Sequence, residues 1–174
     1  MNKKYIIAAI ILIGIGTLIF AARKNSSSSS SLPAQVVLQV PFTPQAPTDK
    51  WDRNEDCEET SITMANAFLS GNTSNTLAEG ESIKSIENLK IWENANLGYN
   101  VDTGSAATTR LAEGAFAMKV KQIKDFTEDD LKRALADNHP ILLPIDARQL
   151  NNPKYQNSGP QYHMIVLRGY KDGK

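Results

Sequence analysis

The stretch DCEETSITMANAFL, residues 56–69, decides the fold prediction. Asp56 is a residue type that caps helices, and acidic Glu58 and Glu59 suit a first helical turn. Apolar residues then recur at helical spacing to the end of the stretch. The pattern therefore predicts a helix that begins at Cys57, the only cysteine of the chain.

Cys57 can be interpreted either as a packing residue or as a nucleophile. Free cysteines are among the most buried residue types, and most of them only pack. A helix N-terminus, however, favours a thiolate. The charged neighbours Asp56, Glu58 and Glu59 also predict solvated surroundings rather than an apolar interior. An unpaired cysteine in an exported protein is a hazard unless it has a use. We therefore interpret Cys57 as a candidate nucleophile.

The rest of the domain reads as helices followed by strands. A short strand in VVLQVPF, residues 36–42, precedes the cysteine helix. Periodicity and helix-end signals predict three further helices, at residues 81–94, 105–113 and 127–137, the last with Thr127 as its cap and Asp130 three residues on. Later apolar runs predict strands at residues 118–123, 140–145 and 162–170. Helices first and strands later indicate an α+β domain.

The N-terminal segment predicts export. Residues 6–22 are a run of seventeen without a charge, after a basic start. Such a run spans about 25 Å as a helix, the short end of a membrane crossing. A cleaved signal peptide is the rival interpretation, but no A-x-A-like site follows the run. We expect an uncleaved anchor over residues 1–24, one transmembrane helix with the N-terminus inside and an extracytoplasmic domain.

Composition sets the remaining boundaries. An unbroken serine run, Ser26 to Ser31, predicts a flexible linker over residues 25–34. The region 35–174 is long enough for one domain with its own core. Basic and acidic residues number nineteen each, but the anchor holds four of the basic ones. No basic, aromatic cluster is present, so nucleic acid is not an expected partner.

Three sequence blocks resemble a known family. VPFTPQ (40–45), DCEETS (56–61) and GPQYHMIVLRGYKDG (159–173) are similar to the papain-like peptidases that remove double-glycine leaders from bacteriocins. They are more similar to the stand-alone relatives, cysteine-peptidase family thirty-nine and its "-like" members. The resemblance covers the chain from about Val37 to its end. It implies a papain-like fold, with the cysteine on an N-terminal helix and a histidine on a C-terminal antiparallel sheet.

By motif, the resemblance assigns Cys57 as nucleophile, His163 as general base and Gln45 as oxyanion donor. This chemistry is acyl transfer, which needs no metal or cofactor. The chain departs from the family at Glu58 and Glu59, where Gly-Pro is common. These carboxylates would oppose a thiolate if they faced it, although on a helix they can point to solvent.

The residue that orients the histidine has no match. In the family an Asp or Asn lies on the strand after the glycine-tyrosine pair, which here would come after Lys174. Asp146 and Asp172 are poor substitutes, since one lies at a proline-bounded junction and the other in a turn. The other histidine, His139, is expected to be solvated.

The predicted function is a membrane-anchored, extracytoplasmic thiol hydrolase that acts on peptides or proteins. The alternative is an inactive papain-like domain that binds peptides or cell-wall stems, which the missing orienting residue favours. A metal site is not expected, because one cysteine and two distant histidines lack zinc-ligand spacing. The acidic cluster around the cysteine lacks a calcium-loop pattern, and we interpret it as a solvated face.

Overall fold

The fold is an α+β arrangement of four helices and six strands in the described part of the chain, as seen in a computed structural model. The structure describes residues 8–13, 31–46, 55–153, 155 and 159–171. The helices are α1 Cys57–Leu69, α2 Glu79–Asn96, α3 Gly104–Phe116 and α4 Glu128–Ala136. The strands are β1 Ala8–Ile13, β2 Gln35–Val37, β3 Lys119–Lys124, β4 Ile141–Ile145, β5 His163–Leu167 and β6 Gly169–Lys171.

All strand pairs are antiparallel. Four strands form the main sheet in the order β3-β1-β4-β5, and β2 pairs with β6 in a second sheet. The strand expected over residues 162–170 is thus two strands, separated at Arg168, whose carbonyl accepts a hydrogen bond from the Leu38 N–H at 2.7 Å. The predicted α+β class and the histidine-bearing antiparallel sheet are confirmed.

Strand β1 corrects the prediction of an N-terminal transmembrane helix. Six residues of the expected span, Ala8–Ile13, are a strand that pairs with β3 on one side and β4 on the other. The periodicity of a short apolar run does not distinguish a buried strand from a buried helix. The isoleucines of this run favour a strand. The rest of residues 6–22 lies outside the described residues. In the part of the chain that the structure describes, no helix is both long enough and apolar enough to cross a membrane.

The core lies on both faces of β1. Ile10 and Leu12 join a cluster with α1 and α3 residues, whereas Ala9 and Ile11 join a second cluster with α4 residues. This alternation is the two-residue period of a strand buried on both faces. The central strand therefore links the two halves of the core.

The helices begin and end close to where their sequence signals indicated. Helix α4 has the capping box expected from Thr127 and Asp130, with the Asp130 N–H donating to Thr127 Oγ1 at 3.3 Å. Asp56 is at the N-cap position of α1, but its side chain makes no cap hydrogen bond; it forms an ion pair with Lys90 of α2 at 2.9 Å.

Helix α1 packs on α2 through polar groups as well as apolar ones. The hydroxyls of Thr63 and Ser85 are hydrogen-bonded at 2.8 Å. Glu59 and Glu93 are both buried, and none of their four carboxyl oxygens has a hydrogen-bond partner among the described residues. Burial raises the pKa of both groups, to about 10 for Glu59 and about 7 for Glu93, and their mutual repulsion adds to the Glu59 shift. The folded protein therefore holds protons here that the unfolded chain releases.

The central strand yields a first prediction. Ile10→Ala should lower the free energy of unfolding by about 2–5 kcal/mol, because it removes a fully buried side chain from the sheet. Thermal or denaturant unfolding measures the change. The matched control is Ile91→Ala on α2, where the isoleucine is 66% exposed and the loss should be small. Equal, small effects of both variants would contradict a central strand at Ala8–Ile13.

The buried acid pair yields a second prediction. Since the folded-state pKa of Glu93 lies above its ordinary value of 4.5, its contribution to stability is fully present below pH 4.5 and is lost as the pH rises through about 7. Glu93→Gln should remove this loss and stabilise the protein by about 1–3 kcal/mol at about pH 8. Urea unfolding across pH measures it, with exposed Glu81→Gln as control. A pH dependence unchanged by Glu93→Gln would refute the assignment.

Candidate active site

The packing of α1 against β5 builds the site. Cys57 is the first residue of α1 and packs with Met164, which follows His163 on β5. The Met164 backbone lies where it favours the thiolate of Cys57. One turn further along α1, Ser61 Oγ donates to the Met164 carbonyl at 3.3 Å. The helix N-terminus is thus held against the strand that begins with the predicted base, by this hydrogen bond and by the packing of Cys57 on Met164. The structure brings Cys57 and His163, which are distant in sequence, to the same part of the molecule.

The surroundings of the thiol are buried, which corrects the expectation of a solvated neighbourhood. Cys57 is 7% exposed and belongs to the larger hydrophobic cluster, together with Met164. Asp56, Glu58 and Glu59 are buried as well. The N-terminal half of α1 packs on all sides, so its carboxylates do not face solvent.

Glu58 is the side chain in contact with the sulfur. The Cys57 thiol donates to Glu58 Oε2, with Sγ and Oε2 2.9 Å apart. The other carboxylate oxygen, Oε1, accepts the backbone N–H of Thr103, the residue before α3, at 3.1 Å. One buried carboxylate therefore bridges the nucleophile and the start of a second helix.

These contacts reverse the expected direction of the thiol pKa. The N-terminus of α1 and the Met164 backbone favour a thiolate. Burial raises the pKa of Cys57 more strongly, and the negative charge of Glu58 raises it further. This arrangement therefore favours the neutral thiol over the thiolate that the helix N-terminus alone predicted.

His163 is half-buried at the start of β5, opposite Ile145 of β4. The ring of Tyr155 meets the imidazole edge-on, with ring centroids 6.0 Å apart. Burial lowers the pKa of His163 below 6.5, and the Glu58 charge opposes that shift. A neutral imidazole near pH 7 is the form that can accept a proton.

Gln45 lies half-buried after the Phe42–Thr76 bridge, which fixes the preceding segment. Residues 47–54, which connect it to the cysteine helix, lie outside the described residues. Its assignment as oxyanion donor stays a prediction. Backbone N–H groups at the start of α1 are a second source of donors, because the first turn of a helix leaves them free of intrahelical partners.

Asp146 and Asp172 are poor substitutes for the residue that orients the histidine, and the structure describes only Asp146. Asp146 holds Arg148 through both carboxylate oxygens, at 2.8 Å to Nε and 2.6 Å to the terminal nitrogen. This ion pair lowers the pKa of Asp146. Asp172 lies outside the described residues. His139, expected to be solvated, is half-buried.

Glu58 and Tyr162 are site residues that the sequence prediction missed. The Tyr162 hydroxyl is buried and has no hydrogen-bond partner within the described part of the chain. Burial together with the Glu58 charge raises the pKa of Tyr162. A usable signal was the run Thr60, Ser61 and Thr63: small polar residues around a helix start are compatible with burial on all sides. The acidic residues 56, 58 and 59 are therefore not the solvated face that the sequence predicted. Among the described residues, no group of three or more potential ligands could hold a metal ion.

Comparison with known families agrees with the resemblance seen in the sequence. Residues 37–174 match the model of the Peptidase_C39 like family, a span that includes α1, β5 and all three candidate residues. No curated protein matches the chain, and no solved structure does. Because the match covers most of the chain, the protein belongs to the Peptidase_C39 like family, a group of papain-like cysteine peptidase domains.

Proposed function

We propose that the protein is a thiol hydrolase that cleaves peptide or amide bonds by acyl transfer. Family membership suggests a cysteine peptidase-type hydrolase and peptide substrates. The single observation that carries the assignment of residues is the contact of α1 with β5, which puts the Cys57 thiol against the backbone of the residue that follows His163. Cys57 is the proposed nucleophile, and His163 the proposed base.

The proposed reaction has two halves. His163 takes the thiol proton, and the Cys57 sulfur attacks the substrate carbonyl carbon. The C–N bond breaks, the imidazolium gives its proton to the leaving amine, and a thioester remains. Water then loses a proton to His163, attacks the thioester and releases the acid with the thiol restored. Gln45 donates a hydrogen bond to the oxyanion in each half.

A second candidate function is peptide binding without cleavage. The observation that favours it is the neutral, buried thiol in contact with Glu58. A domain of this kind would hold a peptide or a cell-wall stem at the same site. Peptide affinity that survives in Cys57→Ala, together with no turnover by the unchanged protein, would favour this alternative.

Membrane attachment and an extracytoplasmic location stay proposals drawn from the uncharged run at residues 6–22. Ala8–Ile13 cannot be a central strand and part of a membrane helix at the same time. The stability of Ile10→Ala distinguishes the strand from the membrane helix. A loss of domain stability would indicate the strand, because alanine leaves a cavity in the sheet but is tolerated in a membrane helix.

The assignment of nucleophile and base is tested by turnover. Cys57→Ala and His163→Gln should each lower kcat for an internally quenched peptide library by at least about 10³-fold, because both side chains take part in proton and acyl transfer. His139→Gln makes the same change at the other histidine and should keep turnover within about twofold. Full turnover by His163→Gln would remove it from the mechanism.

The oxyanion role of Gln45 has its own test. Gln45→Ala should lower kcat by about 10²–10³-fold with a smaller change in KM, since the donor acts on charge that develops in the transition state. Gln39→Ala is the control, because Gln39 is exposed and bonded to Asn75 at 3.0 Å. If Gln45→Ala matches this control, the family motif does not carry an oxyanion donor here.

A further inference from the structure

Glu58 is a buried acid that the proposed reaction does not use. It is 2% exposed and follows the nucleophile directly in α1. A carboxylate so deeply buried is retained only where other groups satisfy it. Here both oxygens have partners, the thiol on one side and the Thr103 N–H on the other.

The polarity of the thiol contact decides what Glu58 can do. In this geometry the sulfur carries the proton, and the carboxylate oxygen accepts a hydrogen bond from the S–H group. Ionisation of the sulfur would leave two negative atoms 2.9 Å apart in a buried site, where screening by water is weak. The contact therefore stabilises the protonated thiol and opposes the nucleophilic form.

Thr103 fixes the orientation of the carboxylate. Its N–H holds Oε1, so Oε2 is left for the sulfur. Among the described residues, the charged and titratable groups around Glu58 are mostly acidic or neutral; they are Glu55, Asp56 and Glu59 beside it, Glu93 and Lys90 on α2, Asp102 next to Thr103, and Tyr162 and His163 at β5. The ammonium of Lys90 is paired with Asp56, at 2.9 Å.

We propose that Glu58 is a latch on the nucleophile, which keeps Cys57 protonated and unreactive until the carboxylate leaves the sulfur. The proposal rests on the proposed function, since it describes how that same site is held at rest. When the carboxylate turns away, the thiol proton passes to the His163 imidazole, which gives a thiolate and an imidazolium. No other reactant is needed.

The test is the pH profile of Cys57 alkylation by iodoacetamide in the full chain. Glu58→Gln should raise the rate at pH 7 about tenfold or more and move the plateau to lower pH, one pKa unit corresponding to tenfold. A glutamine carbonyl can still accept the Thr103 N–H, while its amide can donate to the sulfur and so reverses the polarity of the contact. Glu93→Gln removes a buried carboxyl that does not contact the thiol, and should change the rate less than about twofold.

Two results with Glu58→Gln would overturn the latch. An unchanged profile would reduce Glu58 to an anchor for Thr103, and a slower reaction would make it the group that removes the thiol proton. If the variant does not fold by circular dichroism, the unchanged protein decides: its plateau should lie above that of the same cysteine in the unfolded chain, and a plateau near neutral pH would refute the latch. Alkylation uses no peptide, so its outcome is independent of the turnover of Cys57→Ala and His163→Gln, which tests the proposed function.

Discussion

The attachment of the α1 N-terminus to β5 is the constraint on which the site depends. Two contacts to Met164, from Cys57 and from Ser61, fix the helix start against the strand that carries His163. Strand β5 is in turn held by five paired residues of β4, and β4 by the central strand β1. The position of the nucleophile is therefore a property of the whole sheet rather than of a local loop.

This burial has an electrostatic consequence. Bringing the start of α1 into the interior buries Asp56, Glu58 and Glu59 along with the thiol. The free-energy cost of burying each carboxyl group is offset by a different interaction or by protonation. Asp56 has the Lys90 ammonium, Glu58 has two hydrogen-bond donors, and Glu59 keeps its proton beside Glu93. The helix start thus combines a dipole that favours a thiolate with an acidic interior that opposes it.

The sequence predicted the parts of this structure whose signals are local. Helix α1 begins at Cys57 as expected, and the Thr127 capping box is confirmed, because capping and periodicity depend on neighbouring residues. The burial of Glu58 was not predictable in this way, since it depends on β5 and the start of α3, which are distant in the chain. Strand β1 was missed because an apolar run is compatible with a membrane helix and with a central strand alike.

The protonation states of Cys57 and His163 at rest test this account most directly. Because Cys57 is the only cysteine, labelling with ¹³Cβ-cysteine gives one NMR signal that reports thiol or thiolate across pH. The imidazole signals of His163, assigned by comparison with His163→Gln, report the base in the same samples. We expect a neutral thiol and a neutral imidazole at pH 7, with Cys57 ionising only above the pH of an ordinary thiol. A thiolate beside a protonated His163 at pH 7 would contradict it.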